Sequence, residues 1–423
     1  MPLPVTLPPF VQAVKEFQQL GLVNKALIDV TAVDVPLIAL AKNQSERKER
    51  ALRQGLVLLV AFLMAPLHAR LVSRLMSHGI GIKGHSGANQ TLMRLSFNEL
   101  ANTNTMRQGI IRLFRDPSGK IPLQNRIPLP LKRRLGPRAL EHLRKRVLNA
   151  KSHFLMTDLA VCGLLLSSIG FIKVAFGKLM SGKNQFSGEF GIVNTNVLDA
   201  LYRHEHQGNH EALQAKTQLK QAITFSTAIG VPVFLGLLVR HGLKTPNPKG
   251  LNRFITQKLA PRLDYNYPNY LKSLKGWPLL SDGAQILLSL MLTMGELTSA
   301  RSKRELKELA IQRNSIDAMF FFGAPMFMKA LSGSTTVQGA IDRARFKVPH
   351  LVQQAARRSA RTYLASFLLT LACVSAIVAK TNQMTRQAVK DDANRLTTRP
   401  YTDPRISPRT SPVGSPNPQP TGP

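Results

Sequence analysis

The sequence predicts an all-α protein: a polytopic helical membrane domain of about 4–6 spans, with long basic loops and a disordered C-terminal tail rich in proline. Three observations carry this. Gln221–Val239 holds no formal charge between Lys220 and Arg240, and Thr362–Ala379 holds none between Arg361 and Lys380. A helix rises ~1.5 Å per residue, so about 20 residues cross a ~30 Å hydrocarbon core. Four further apolar segments stand at intervals along the 423 residues. The net charge is +34, from 57 Lys+Arg against 23 Asp+Glu, and such an excess calls for a polyanionic neighbour, either anionic lipid or nucleic acid.

The apolar fraction is 44% and the mean hydropathy is −0.06. That average fits spans separated by long polar segments. Only Cys162 and Cys373 are present, each inside an apolar stretch, which points to small buried hydrophobes and excludes both a disulfide framework and a cysteine-built zinc set. The spacing divides the chain into a helical lead-in over 1–53, a membrane domain over 54–380, and a tail over 381–423.

The lead-in has no basic n-region and contains Pro2, Pro4, Pro8 and Pro9, so it is not a secretory signal, and insertion is expected to start at an internal span. Phe10, Val11, Val14, Phe17 and Leu20 fall at helical spacing and predict a short amphipathic helix over 9–22, lying on a membrane or packed on the rest of the protein. Ile28–Ala41 carries Asp29 and Asp34 and is not expected to span.

The remaining apolar segments follow in order. Gln54–Ala69 is free of formal charge. Leu159–Ile172 precedes Lys173, whose stem can snorkel. Gly276–Gly295 holds one charge, Asp282, and Ala318–Met328 is the shortest. Taking all six as crossings, the loops 70–156, 240–282 and 329–361 carry +14, +6 and +6, against +2, +1 and +1 for 1–53, 174–221 and 296–317. The positive-inside rule then puts the strongly basic loops in the cytoplasm, both termini outside, and a bacterial inner membrane as the default location. Tyr265, Tyr267, Tyr270 and Trp277 cluster before Gly276–Gly295 and read as an interfacial aromatic belt, or as a loop packing its rings on a core. Beyond Thr397 the tail is dominated by Pro, Ser and Thr, which bury too little apolar surface to fold.

An internal similarity links two segments. Glu46–Val72 lies on Glu305–Leu331 without a gap at an offset of 259, with Glu46/Glu305, Lys48/Lys307, Glu49/Glu308, Ala51/Ala310, Phe62/Phe321, Ala65/Ala324 and Pro66/Pro325 identical. Each copy is a charged helix running into an apolar one broken by Ala-Pro. Gly230-Val231-Pro232 is a similar break. Paired, proline-broken apolar segments are a pointer to a transporter core, so Pro66, Pro232, Pro325 and Asp282 are the candidate pathway residues. Asp158 and Asp317 also stand at segment ends, Asp158 as a helix N-cap.

Other motifs are weighed on their chemistry. Gly79–Gly84 matches G-x-G-x-x-G, but no strand precedes it and no βαβ unit follows, so a juxtamembrane turn is the reading. His206 and His210 are four apart and could share a helical face toward a metal, yet Gly208-Asn209 weakens that helix and a polar loop is favoured. Lys132, Arg133, Arg134, Arg138, Arg144, Lys145 and Arg146 form a basic amphipathic stretch without an aromatic to stack a base, which favours anionic lipid over nucleic acid. No G-x-S-x-G, Walker loop or C-x-x-C occurs, so no enzyme activity and no cofactor is expected. The leading expectation is a non-enzymatic multi-pass membrane protein that scaffolds or remodels membrane or passes a solute. The alternatives are a soluble or peripheral helical protein binding nucleic acid or anionic membrane, and a transporter with a duplicated proline-broken core.

Overall fold

The computed structural model describes residues 7–19, 21–82, 84–115, 127–182, 185–205, 210–244, 249–267, 277–347 and 351–398. Helices α1 (Pro9–Gln19) and α2 (Gly21–Ile28) lead into a π-helical segment, Asp29–Asp34, and α3 (Val35–Ala39). Helix α4 (Gln44–Val57) runs through a second π-helical segment, Leu58–Met64, into α5 (Ala65–Ser77). Short helices α6 (Ser86–Leu92), α7 (Thr103–Phe114) and α8 (Leu129–Lys132) precede the long α9 (Pro137–Ser181). Then come α10 (Thr195–Glu205), α11 (His210–Lys244), α12 (Gly250–Phe254) and α13 (Ala260–Arg262). The last group is α14 (Asp282–Thr298), α15 (Lys303–Ser332), α16 (Val337–Lys347) and α17 (Val352–Thr398). Residues Tyr265–Asn266 (β1) and Leu279–Leu280 (β2) pair antiparallel.

Four helical stretches are long and apolar enough to cross a membrane: Gln44–Ile80, Pro137–Ser181, Ala215–Lys244 and Val352–Leu396. They contain the segments expected at Gln54–Ala69, Leu159–Ile172, Gln221–Val239 and Thr362–Ala379. Of the segment Gly276–Gly295, residues 282–295 lie on α14, and Ala318–Met328 lies on α15; neither helix is among these four. Leu59, Leu63, Leu67, Leu71 and Leu75, four apart on one face, are all exposed, as a lipid-facing stripe requires.

The described chain passes seven times between two ends of one bundle. One end gathers Lys25 beside Asp282, the start of α9 beside the end of α11 (Arg144 to the Leu243 carbonyl, 3.0 Å), and α1 packed with Met328, Val337 and Val352. The other end gathers Lys173 on Glu305 (2.7 Å), Arg50 on Asn382 (3.2 Å), Arg386 on the Leu40 carbonyl (2.6 Å) and Thr224 on Thr298 (2.9 Å). Residues 21–39 therefore run between the two ends of the bundle, and they are not among the four stretches suited to cross a membrane, as expected of a segment carrying Asp29 and Asp34. That extra passage places α1 and the end of α17 at opposite ends, where the loop-charge count put both termini together.

Three further expectations change. Helix α9 begins at Pro137, so Asp158 sits deep inside it, fully buried, and caps nothing. Tyr265 and Tyr267 pack inward: Tyr265 stacks near Phe154 with centroids 4.3 Å apart, and the Tyr267 hydroxyl donates to the Met93 carbonyl at 3.1 Å. Trp277 receives the Arg70 guanidinium over its ring at 4.4 Å, and Tyr270 lies outside the described residues. Helix α17 continues to Thr398, so 381–398 are helical, and the rest of the proline-rich tail lies outside the described residues.

The internal similarity has a structural counterpart. Asn43 caps α4 by accepting from the Glu46 amide (2.7 Å), and the Glu46 carboxylate accepts from the Lys42 amide (2.9 Å). At the same offset of 259, Ser302 caps α15 by accepting from the Glu305 amide (3.0 Å), and Glu305 accepts from the Arg301 amide (2.7 Å). Both ends are reciprocal capping arrangements that satisfy otherwise orphaned donors. Subtracting 259 from α14 gives 23–39, the span of α2 to α3. Two units of three passages result: α2–α3, α4–α5 and α9, then α14, α15 and α17, with α11 between them.

The units are interlocked. The first passage of each packs on the last passage of the other: α14 lies along α9, and the π-helical segment with α3 lies along α17. A Cβ on Gly295 would meet the Ser167 backbone oxygen at 2.0 Å, and one on Gly170 would meet the Gly295 oxygen at 2.5 Å. Small residues at this crossing let the two backbones touch, the usual means of association between helices in lipid.

Candidate functional site: a cavity shared by the two units

A cavity of about 80 Å³ lies inside the bundle, walled by both units. Its lining repeats at the offset of 259. Asp29 and Leu288, Val57 and Ile316, Ala61 and Phe320, and Phe62 and Phe321 all line it. Eight of the sixteen lining residues thus form four pairs at that offset, so both similar segments reach the same void. Both π-helical segments contribute, Asp29 from the first and Ala61 and Phe62 from the second. Non-α backbone inside a membrane domain persists where it is buried in protein or lines a cavity, and π segments recur at functional sites.

Two cations and two acids line the cavity. Lys25 donates to Asp282 (2.7 Å) and Gln285 (2.6 Å), and its ammonium stands 4.5 Å from the centre of the Phe321 ring. Arg313 is held by Glu296, whose carboxylate also takes Arg53 at 2.5 Å. Asp317 accepts only neutral hydroxyls, from Ser289 (2.7 Å) and Thr293 (3.1 Å). Asp29, 7% exposed, makes no hydrogen bond or ion pair among the described residues.

Above the cavity the Arg53–Glu296–Arg313 triad opens into a wider ionic layer. Arg301 pairs with Glu49 (2.5 Å) and Glu305 (3.2 Å), Lys173 pairs with Glu305, Arg304 with Glu189 (3.0 Å), and Arg50 with Glu46 (2.7 Å). Arg301–Glu49 joins the two units, and Lys173–Glu305 does so again. Burial alone would raise the Glu305 carboxyl; Lys173 and Arg301 overcome it and hold the group at about 2. Burial raises Glu189, and Arg304 and Ser302 pull it back only in part. On the other side of the cavity the lining residue Lys25 pairs with Asp282 (2.7 Å), whose side chain is 82% exposed.

Sequence reasoning found part of this. Asp282 was singled out; it belongs to the mouth and does not line the void. Asp317 does line it, and so does Asp29. Pro66, Pro232 and Pro325 do not line the cavity. Pro66 opens α5 after the second π-helical segment, Pro232 lies buried within α11, and Pro325 is exposed on α15. His206 lies outside the described residues and His210 opens α11, so the proposed imidazole pair forms no described site.

The basic stretch divides. Arg133, Arg138, Lys145 and Arg146 are exposed, and Lys132 and Arg134 are half-buried. Arg144 is buried, donating to Glu141 (2.8 Å) and to the Leu100 and Leu243 carbonyls (3.0 Å each), which ties α9 to its neighbours and removes it from any lipid-facing set. The Gly79–Gly84 turn follows helix, not strand, with Gly81 left-handed at φ 73, and Lys83 lies outside the described residues.

One cluster escaped the sequence. His68 Nδ1 lies 2.7 Å from Asp158, the Tyr265 hydroxyl donates to the other Asp158 oxygen at 2.6 Å, and the Cys162 sulfur is 3.9 Å away. The His68, Asp158 and Cys162 ligand atoms lie within 4.8 Å of one another, close enough for a metal ion. Asp158 is already satisfied by three donors, so the cluster reads as an interior polar network linking α5, α9 and the β1 strand. No protein-family model matches this chain, and no curated protein or solved structure was found to resemble it.

Proposed function

We propose that this chain is a multi-pass membrane protein that passes a small solute through the cavity between its two units. The observation that carries the reading is the paired lining: Asp29/Leu288, Val57/Ile316, Ala61/Phe320 and Phe62/Phe321 surround one void. In transporters built from repeats, substrate sites lie near the bilayer midplane at the repeat interface, and irregular helices form them. Here two π-helical segments supply part of the wall. The ionic layer lies toward one end and, among the described residues, the Lys25–Asp282 pair toward the other, which favours access from the Lys25 end. A scaffold or membrane-remodelling role would use the exterior alone and leave a charged interior void without purpose.

The strongly basic loops lie at the Lys25 end, with Arg133, Arg138, Lys145 and Arg146 exposed there. Each cation near an anionic leaflet contributes ~1 kcal/mol, which orients that end toward the cytoplasm of a bacterial inner membrane. The reading is tested in proteoliposomes on a solid-supported membrane, by applying panels of small cations, anions and neutral solutes. Currents or uptake that Ala61→Trp abolishes, with the protein still monodisperse, support it. No flux for any solute class would leave the scaffold role as the better account.

A further inference from the structure

The charges around the cavity do not cancel. Both lining cations are engaged elsewhere, Lys25 by Asp282 and Arg313 by Glu296. Neither lining acid makes a direct ion pair among the described residues: Asp317 takes hydroxyls, and Asp29, nine-tenths buried, makes no described hydrogen bond and feels the Arg53 guanidinium only at longer range. Glu296 serves both Arg53 and Arg313, so one positive charge stands beside the two lining acids and the balance at the void is one negative charge. A carboxylate in that position is costly until a cation or proton reaches it, and intramembrane acids of this kind mark ion or substrate pathways.

The rest of the wall selects among cations. Phe62, Phe320 and Phe321 line it together, and Phe320 and Phe321 stand edge to face with centroids 5.3 Å apart. Aromatic faces attract cations and are the usual surround of methylated ammonium groups. Phe321 already holds the Lys25 ammonium at 4.5 Å, so its ring is in use as a cation surface. A bare hard cation needs about six oxygen ligands; the lining offers the Asp29 and Asp317 carboxylates, while the Gln285 oxygen is taken by Lys25 and the Ser289 hydroxyl is donated to Asp317. The volume sets the size. An apolar cavity of ~150 Å³ takes benzene, so about 80 Å³ takes roughly three or four heavy atoms.

We infer that the cavity binds a small alkylammonium ion, its charge on Asp29 and Asp317 and its methyl groups against Phe62, Phe320 and Phe321. The inference rests on the transport reading for its purpose and names the substrate of that site. The N–H bonds of a secondary or tertiary ammonium supply the donors that Asp29 lacks. Quaternary ions lack those bonds, and neutral molecules of the same shape lack the charge.

The test is equilibrium binding to the purified full-length protein in detergent, by calorimetry and by thermal unfolding. The probes are trimethylammonium chloride, sodium chloride at equal ionic strength, and isopropanol as the neutral mimic. Saturable binding of trimethylammonium alone is expected, weakened at least tenfold in Asp29→Asn and in Asp317→Asn and abolished in Ala61→Trp. Ala61→Trp fills the void without removing either acid and covers the case where an Asp variant fails to fold. Equal binding of sodium, lost in the same variants, would make this an inorganic-cation site and overturn the proposal. Trimethylammonium binding that all three variants keep, or no binding at all, would also overturn it. Proteoliposome uptake separates the two claims. Binding without uptake sinks the transport reading and leaves the site; flux of another solute that Ala61→Trp abolishes, without ammonium binding, does the reverse.

Discussion

Phe62 and Phe321 stand 259 positions apart, at the same place in two copies of one pattern, and both rings line a single cavity. Each is reached by a helix whose first turn is tied by the same reciprocal cap, Asn43 with Glu46 and Ser302 with Glu305. Equivalent starts and equal lengths bring equivalent residues to the same depth. The two similar segments thus meet at the void, and part of its lining is related at the same offset.

Filling either wall should act alike. Val57→Trp and its counterpart Ile316→Trp each put an indole into about 80 Å³ of space. Each is expected to lower solute uptake by more than tenfold, while Leu63→Trp on the exposed face leaves it unchanged. Initial rates in proteoliposomes check this, with size-exclusion profiles to confirm folding.

Glu296 is fully buried between Arg53 and Arg313. Glu296→Gln leaves two buried guanidiniums without their carboxylate. Removing one partner of a buried ionic group costs ~3–5 kcal/mol, so a large fall in thermal midpoint is expected in detergent. Glu296→Asp should recover part of it.

Gly295 presses on the Ser167 backbone at the crossing of α14 and α9. Gly295→Ala forces the two backbones apart, and overpacking of this kind costs ~1–3 kcal/mol. Gly230→Ala on α11, where an added Cβ meets nothing within 4 Å, should be neutral or slightly stabilising. Paired thermal melts of the two variants decide it.

The ionic layer should answer to acid in a defined window. Glu305 is held at about 2, below its ordinary 4.5, so its contribution is present above pH 4.5 and is lost as pH falls through 2. Glu189 is shifted up, so its ionisation weighs against the fold as pH rises past its folded value. Glu305→Gln should flatten the acid limb of the stability profile between pH 4.5 and 2, read by tryptophan fluorescence or circular dichroism. Glu189→Gln should leave that limb in place.

Seven passages put α1 and the end of α17 at opposite ends. Lys145 and Thr195 are exposed at the two ends of the bundle. Lys145→Cys and Thr195→Cys, tested in a background lacking Cys162 and Cys373, are expected to label from opposite sides of the membrane. Labelling of both by an impermeant maleimide on intact cells would contradict this arrangement of the passages.

Much of the frame was legible in the sequence because it is local. A run without charge, such as Thr362–Ala379, declares a helix in lipid whatever its neighbours are. The capping residues Asn43 and Ser302, three before a glutamate, announce helix starts in the same way. The offset of 259 was visible because a few positions kept their identity. What misled was also local. Tyr265 and Tyr267 looked interfacial because their partners, Asp158 and Met93, are more than a hundred residues away. Arg144 looked like one more surface cation until Glu141 and two carbonyls enclosed it.

By itself the sequence determined which stretches are helical, which of them suit a membrane, where the positive charge collects, and that two segments share a pattern. Each of these follows from properties of neighbouring residues: helical period, apolar length, cap chemistry and charge count. Only the tertiary structure decided that the shared segments reach one void, that first and last passages are exchanged between the units, and that Asp29 and Asp317 line the void while Lys25 is held by Asp282 and Arg313 shares Glu296 with Arg53. Those outcomes depend on contacts between residues hundreds of positions apart. Whether a buried charge is paired is a property of the assembled neighbourhood, and no stretch of chain carries it alone.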